Sequence, residues 1–267
     1  MTHYDAIVLG VGGMGSSALY HLARRDLRVL GIERYNIPHE MGSSHGLTRI
    51  IRLAYYEHPS YVPLLRRAYE LWRQLENMVQ ERLLIVTGSI DASPADGEVF
   101  TGSKASCDIH HLPHEVLDHR ELKARFPGYR VPKGIMALYQ PDGGFLLSER
   151  CIVAHVMAAQ ELGAEVHGQE HVIGWEVKGQ GVEVHTDCGR YSAVKLVVCA
   201  GAWGAKLVPE LDTLAVPERQ VLGWFQPMRP ALPLGQRVAG GHVADLVGAH
   251  GPRDAQRRVG DVGGDHP

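Results

Sequence analysis

Long hydrophobic runs are missing from this sequence: none reaches the roughly 18 residues at which a membrane-spanning helix is expected. Cysteine is sparse. The four present, Cys107, Cys151, Cys188 and Cys199, are scattered and form no C-x-x-C pair. That usage fits reduced thiols in a cytoplasmic protein and gives neither a disulfide framework nor a zinc site. No sign of charge is in excess. Lys and Arg total 27 against 30 Asp and Glu, a net charge of −3, which leaves no electrostatic case for nucleic acid or an anionic membrane as partner. The opening MTHYDAIVLG lacks the basic and then apolar segments that mark secretion. What remains is a globular composition, 45% hydrophobic and 21% charged, in a chain of 267 residues that can build one large domain or two smaller ones.

The first thirty-four residues read as one βαβ unit. Ala6 to Leu9 is a short apolar run, as expected of a buried parallel strand. Gly10, Gly12 and Gly15 then make G-x-G-x-x-G, and Ala18, Leu19, Leu22 and Ala23 recur on one face of a helix. A second strand, Arg28 to Ile32, ends at Glu33. The chemistry requires these residue types here. The first glycine makes the tight turn, the second lets backbone approach a pyrophosphate, and the third lets helix and strand pack closely. The helix N-terminus offers amide donors to phosphate. Glu33, following Gly15 by 18 residues (33 − 15), stands where a carboxylate accepts hydrogen bonds from ribose hydroxyls. An acid there favours FAD or NAD over NADP, and the motif alone does not choose between the first two.

Further along, Ser60 is expected to cap an amphipathic helix whose stripe of Tyr61, Leu64, Leu65, Ala68, Leu71, Trp72 and Leu75 faces the core. Leu83 to Ile90 reads as a strand, and residues 91–106 as an irregular connection. Asp118 and Glu121 predict a capping box for a short helix ending before Pro127. Ile135–Tyr139 and Gly144–Leu147 read as a hairpin about PDGG. Ser148 is expected to cap a second helix, which Gly163 ends, and strands follow at 164–167, 171–177, 181–186 and 195–199. Cys107, His110, His111, His114 and His119 lie near one another, but without a regular pair of pairs they read as surface residues, and no metal is assigned.

The stretch GSSHGLTRIIR, residues 42–52, concentrates fixed positive charge behind a turn. Here the sequence resembles the monomeric sarcosine oxidase and N-methyltryptophan oxidase group of FAD-dependent amine oxidases. The resemblance rests on YDAIVLGVGGMGSSALYHLARR, IPHEMGSSHGLTRIIRLAY and YVPLLRRAYELWRQLE, then VPKGIMALYQPDGGFLLSERCI, KLVVCAGAWGAKLVPEL and VPERQVLGWFQP, in the same order over about residues 4–227. It implies FAD as cofactor and a secondary (N-methyl) amino acid and O2 as small-molecule partners. Hydride equivalents pass to flavin N5, O2 gives hydrogen peroxide, and the imine hydrolyses. It further implies that Gly10, Gly12, Gly13 and Gly15 hold the pyrophosphate and Glu33 the ribose, with Gly42, Ser43 and Ser44 threading beside the pyrophosphate and flavin. Val172 meets the adenine through its backbone, and Gly201, Ala202 and Trp203 close over the cofactor. Met14, Arg34 and Thr48 complete the cofactor-binding set. On the same resemblance His45 and Arg49 would be the catalytic residues, their charge stabilising the reduced flavin, while Arg52 would pair with the substrate carboxylate. Ile50 and Ile51 keep that region dry.

The implied fold class is α/β. An FAD-binding Rossmann-like domain, residues 1–85 and 145–220, is interleaved with an incomplete mixed-sheet substrate domain, 86–144 and 221–235. The segment 236–267 is expected to be an irregular tail in a non-native reading frame, since no Phe, Trp or Tyr occurs after Phe225. No cysteine matches the family's covalent flavin link. A cytoplasmic monomer without nucleic-acid or membrane partners is expected. Sarcosine, N-methyltryptophan and related amines remain open as substrates. The alternatives are a flavin-binding chain without turnover and an NAD-linked dehydrogenase, which would share residues 5–33 but give no reason for GSSHGLTRIIR.

Overall fold

The computed structural model describes residues 3–219 and 240–242. In chain order it opens with β1 (His3–Leu9), α1 (Gly13–Ala23), β2 (Val29–Ile32), β3 (Arg49–Ile51) and α2 (Tyr61–Val79). Next come β4 (Leu84–Val86), β5 (Ser89–Pro94), α3 (Glu98–His110), β6 (Glu115–Asp118), α4 (His119–Arg125), β7 (Ile135–Gln140) and β8 (Gly144–Leu146). The rest is α5 (Ser148–Glu161), β9 (Glu165–His167), β10 (Val172–Lys178), β11 (Gly181–Thr186), β12 (Arg190–Val198), α6 (Gly204–Leu207) and β13 (Gly240–His242). Among the described residues, no helix is long and apolar enough to cross a membrane.

The chain divides into two units. The first takes the described residues up to Arg49, then Glu70–Leu84, then the described stretch from Leu146 onward. Its sheet has the order β10-β11-β12-β1-β2-β9. β1 lies parallel to both β12 and β2, whereas β10, β11 and β12 are antiparallel. Alternate residues of β1 enter separate cores. Ala6 and Val8 pack with Leu19 of α1, Leu75 of α2 and Ala158 of α5, while Ile7 and Leu9 pack with Leu30, Val184 and Ala193. A strand covered on both faces reads as a continuous apolar run, which is why AIVL carries no polar alternation. Complete burial of Ile7, Val8 and Leu9 contributes roughly 1.5–3 kcal/mol apiece, so β1 anchors this unit.

The second unit takes Ile50–Tyr69 and Ile85–Phe145, together with β13. Its sheet has the order β13-β5-β7-β6, and a three-stranded sheet β3-β8-β4 is made of short strands where the chain crosses between units. The stretch 91–106, expected to be irregular, instead contributes most of β5 and much of α3. Polarity hides β5, because Ser89, Asp91 and Ser93 are polar in a strand buried on both faces. Partners within the unit make that burial tolerable: Ser103 Oγ donates to Asp91 Oδ2 at 2.9 Å, and Phe100 N donates to Ser93 Oγ at 3.1 Å. In α3, a β-carbon at Gly102 would lie 2.2 Å from the Tyr56 carbonyl oxygen, so the glycine permits a close backbone approach.

Other expectations are also corrected. The strand foreseen over Leu83–Ile90 is two strands, separated at Gly88, whose φ of +82° suits glycine. β7 and β8 belong to different sheets, so PDGG joins no hairpin. The stripe on α2 is uneven. Leu75 is buried, but Leu64 and Tyr61 are exposed and Val62 is buried in their place. Leu147, not Ser148, is the N-cap of α5. The capping box at α4 is as expected: Asp118 Oδ1 accepts from the amides of Arg120 and Glu121, and Glu121 Oε2 accepts from Asp118 N. In the segment 236–267, Gly240–His242 pairs in parallel with β5; its remaining residues, like 220–235, lie outside the described residues.

Candidate functional site

Each glycine of the turn between β1 and α1 meets a different surrounding. Gly10 has φ +88°, and a β-carbon there would lie 2.5 Å from the Cys199 carbonyl oxygen. One at Gly15 would lie 1.7 Å from the Gly10 carbonyl oxygen and 3.2 Å from Cys199 Cβ. Gly12 is the contrast: a β-carbon there meets nothing within 4 Å, so the backbone borders open space. Gly12 is also the N-cap of α1 and supplies no side-chain cap. The amides of Gly13, Met14 and Gly15 therefore lack intrahelical acceptors by position, and the Gly13 amide donates to Ser44 Oγ at 3.2 Å. Met14 points outward, 80% exposed. Open space, outward amides and the positive end of a helix are what a pyrophosphate needs.

Glu33 is buried at the end of β2. Its Oε2 accepts from Val11 N at 2.8 Å and its Oε1 from Tyr35 N at 3.0 Å, with His39 Nε2 3.5 Å from Oε1. The carboxylate is thus held beside the glycine turn. Tyr35 packs tilted against Trp203, ring centroids 5.9 Å apart, and the Arg34 guanidinium lies 5.5 Å from the Tyr35 ring centre. Gly201, with φ +51°, begins the 3-10 turn that carries Trp203. Val172 starts β10, half-buried, beside an irregularity in its pairing with β11. The residues present fit an FAD: a cradle that a side chain at Gly12 would fill, helix amides for phosphate, and a positioned acid for ribose.

The segment 42–49 is tied down locally. The His45 Nδ1–H donates to the Gly42 carbonyl at 2.7 Å, and the Arg49 guanidinium donates to the carbonyls of Ser43 at 2.6 Å and Thr48 at 3.0 Å. Ser148 Oγ donates to the Gly46 carbonyl at 2.6 Å, and Gly46 N donates to Glu149 Oε1 at 2.7 Å. These two bonds dock the loop on the first turn of α5. Ile51 is buried and Ile50 half-buried. Arg52 belongs to the second unit and is 6% exposed. Its Nε lies 3.3 Å from Asp91 Oδ2, and its guanidinium lies 5.0 Å from the Tyr55 ring centre and 5.7 Å from that of Tyr56.

Sequence reasoning missed Tyr35 and His39 around Glu33, Cys199 against the glycine turn, and Asp91 beside Arg52. Only Tyr35 and His39 carried a signal, their closeness in sequence to Glu33. Burial pushes the Cys107 and Cys151 thiols up to about 12 and raises Cys199, so none of these is a ready thiolate at neutral pH.

A βαβ unit with an open glycine turn and a buried acid at the end of its second strand is the arrangement of a dinucleotide-binding fold. The chain belongs to the FAD dependent oxidoreductase (DAO) family, whose pattern matches residues 5–251. It is 42% identical over 224 residues to a monomeric sarcosine oxidase of Streptomyces avermitilis, covering 84% of this chain and 58% of that protein. To an N-methyl-L-tryptophan oxidase of Yersinia pestis it is 37% identical over 223 residues, covering 84% and 60%. The solved structure of NikD, an unusual amino acid oxidase essential for nikkomycin biosynthesis, matches with a TM-score of 0.72 and 30% identity over 79% of this chain and 55% of that one. The chain therefore spans less than two thirds of the length of these relatives.

Proposed function

We propose that this chain binds FAD and oxidises the C–N bond of a secondary (N-methyl) amino acid, with O2 as electron acceptor giving hydrogen peroxide and the imine hydrolysing to amine plus aldehyde. The observation that carries the reading is the pairing of open space at Gly12 with a buried, backbone-held Glu33, in a chain 42% identical to a sarcosine oxidase. When bound, FAD supplies the two-electron acceptor. The residues of the chain bind and orient. The amides of Gly13, Met14 and Gly15 receive the pyrophosphate across the gap at Gly12. Glu33, with Arg34 beside it, holds the ribose, and Val172, Gly201 and Trp203 flank the cofactor. Gly42, Ser43, Ser44 and Thr48 line its path, and Ser44 Oγ already sits on the Gly13 amide that phosphate would engage. Arg49 supplies positive charge to the isoalloxazine with His45 beside it, and Arg52 takes the substrate carboxylate with its planar fork. A monomer in the cytoplasm is part of the same reading.

The test is the visible spectrum of the purified chain, before and after adding FAD. A flavin band that stays with the protein on gel filtration and bleaches anaerobically with sarcosine or N-methyltryptophan is expected. A colourless protein that binds NADH overturns the reading in favour of a dehydrogenase. Retained flavin that no N-methyl amino acid bleaches leaves a binding protein without turnover.

A further inference from the structure

On the first unit's sheet, β10 and β11 run antiparallel with Glu176 directly opposite Glu183. His185 follows Glu183 by two residues and so shares its face. Opposed like charges are unfavourable, and Lys178 offsets them in part. Its Nζ lies 3.2 Å from Glu176 Oε1 and 3.1 Å from Glu183 Oε2. The second oxygen of Glu183 is different. The side chain is only 7% exposed, and neither Oε1 nor the buried His185 Nε2 has a hydrogen-bond partner, although the two atoms are 2.9 Å apart. Arg190 Nη1 stands off at 3.9 Å from that oxygen, and Nε2 is 3.4 Å from Glu176 Oε1.

Two atoms at hydrogen-bond distance without hydrogen-bond geometry are not aimed at each other. Both carry lone pairs, and a common electrophile between them relieves the contact. We propose that Glu176, Glu183 and His185 bind one divalent transition-metal ion, of the zinc class, through Oε1, Oε1 and Nε2. Bonds of about 2.0–2.1 Å place tetrahedral ligand atoms about 3.3–3.4 Å apart, and the three atoms here lie within 4.8 Å of one another. One imidazole with two carboxylates selects zinc, nickel or cobalt over magnesium or calcium. The ion takes over the Glu176 oxygen that Lys178 now shares, so Lys178 competes with it. Bound there, it ties β10 to β11 independently of flavin.

Equilibrium dialysis of the full chain against Zn2+ at pH 7.5, after chelator stripping, tests this. With 16 histidines some background binding is expected, so the difference between variants decides. The parent should hold one more equivalent than His185→Ala, whose fold is checked by circular dichroism. Lys178→Met should bind several-fold more tightly, a direction that loss of structure does not produce. The Co2+ form should show a visible band that His185→Ala lacks. Equal stoichiometry in the parent and His185→Ala, or weaker binding in Lys178→Met, overturns the site and leaves an imidazolium ion-paired with Glu183.

Discussion

Alanine at Gly12 and alanine at Gly15 remove the same kind of residue three positions apart, yet the structure separates their effects. A β-carbon at Gly15 would stand 1.7 Å from the Gly10 carbonyl oxygen, a backbone atom with no rotamer to yield. Ordinary contact is near 3.4 Å or beyond, so α1 must move away from β1 by more than an ångström. Overpacking of this kind costs roughly 1–3 kcal/mol, and the upper end applies because backbone meets backbone. For a chain of this size that is a drop in Tm of about 6–12 °C. At Gly12 the β-carbon meets nothing, and φ −79°, ψ −155° is open to any residue. Gly12→Ala should melt within about a degree or two of the parent, slightly above it if the stiffer unfolded chain dominates. On the proposed reading its cost falls on the cofactor, because the methyl group would occupy the space assigned to the pyrophosphate. Thermal melts of both variants without flavin, followed by FAD titration, make the assay. If Gly12→Ala melts as low as Gly15→Ala, or binds FAD as tightly as the parent, the assignment of open space to the phosphate is wrong.

Two further perturbations probe each unit. Burial, reinforced by neighbouring His21, pushes the His155 imidazole down to about 4, while in the unfolded chain it titrates near 6.5. The fold therefore favours the neutral ring. Stability is intact above pH 6.5 and is lost as pH falls from there through 4, by about 2–3 kcal/mol at pH 4.5; in urea melts the parent should lose that much more stability than His155→Leu between pH 7 and 4.5, and parallel curves would refute this. Arg52→Ala strips the buried Asp91 carboxylate of its cationic neighbour and should destabilise by about 3–5 kcal/mol. In a double-mutant cycle, Asp91→Leu should recover a large part of that loss, whereas additive losses would mean the two side chains do not act as a pair.

How much of this was legible depended on where the apolar surface lay. β1, α1 and β2 announce themselves because AIVL and VLGI are buried on both faces and the glycines sit at fixed offsets. β5 did not, because Ser89, Asp91 and Ser93 are buried, the last two bonded to Ser103 and Phe100 of α3. The same blind spot hid the partner of Arg52, since Asp91 lay in a stretch that seemed too polar to be core. PDGG carried a true turn signal but no information on which strands the turn would join, and β7 and β8 went to separate sheets. In the candidate site, the glycines, Glu33 and the 42–52 segment were visible as local spacing. What closes around them, Cys199 from the far end of β12 and Tyr35 against Trp203, depends on long-range packing that spacing does not record.

The pairing of β1 with β12 has a consequence for how the protein is made. His3 lies opposite Ser192, so the second neighbour of the strand synthesised first is among the last parts of its sheet to leave the ribosome. At translation rates of about 5–20 residues per second, the intervening 189 residues take roughly 10–40 s. For that time one edge of β1, carrying Ala6, Ile7, Val8 and Leu9, waits without its strand, while β2 is already available on the other side. The nascent chain thus passes through a long interval with one edge of β1 unpaired, during which strand pairing with another chain competes with folding.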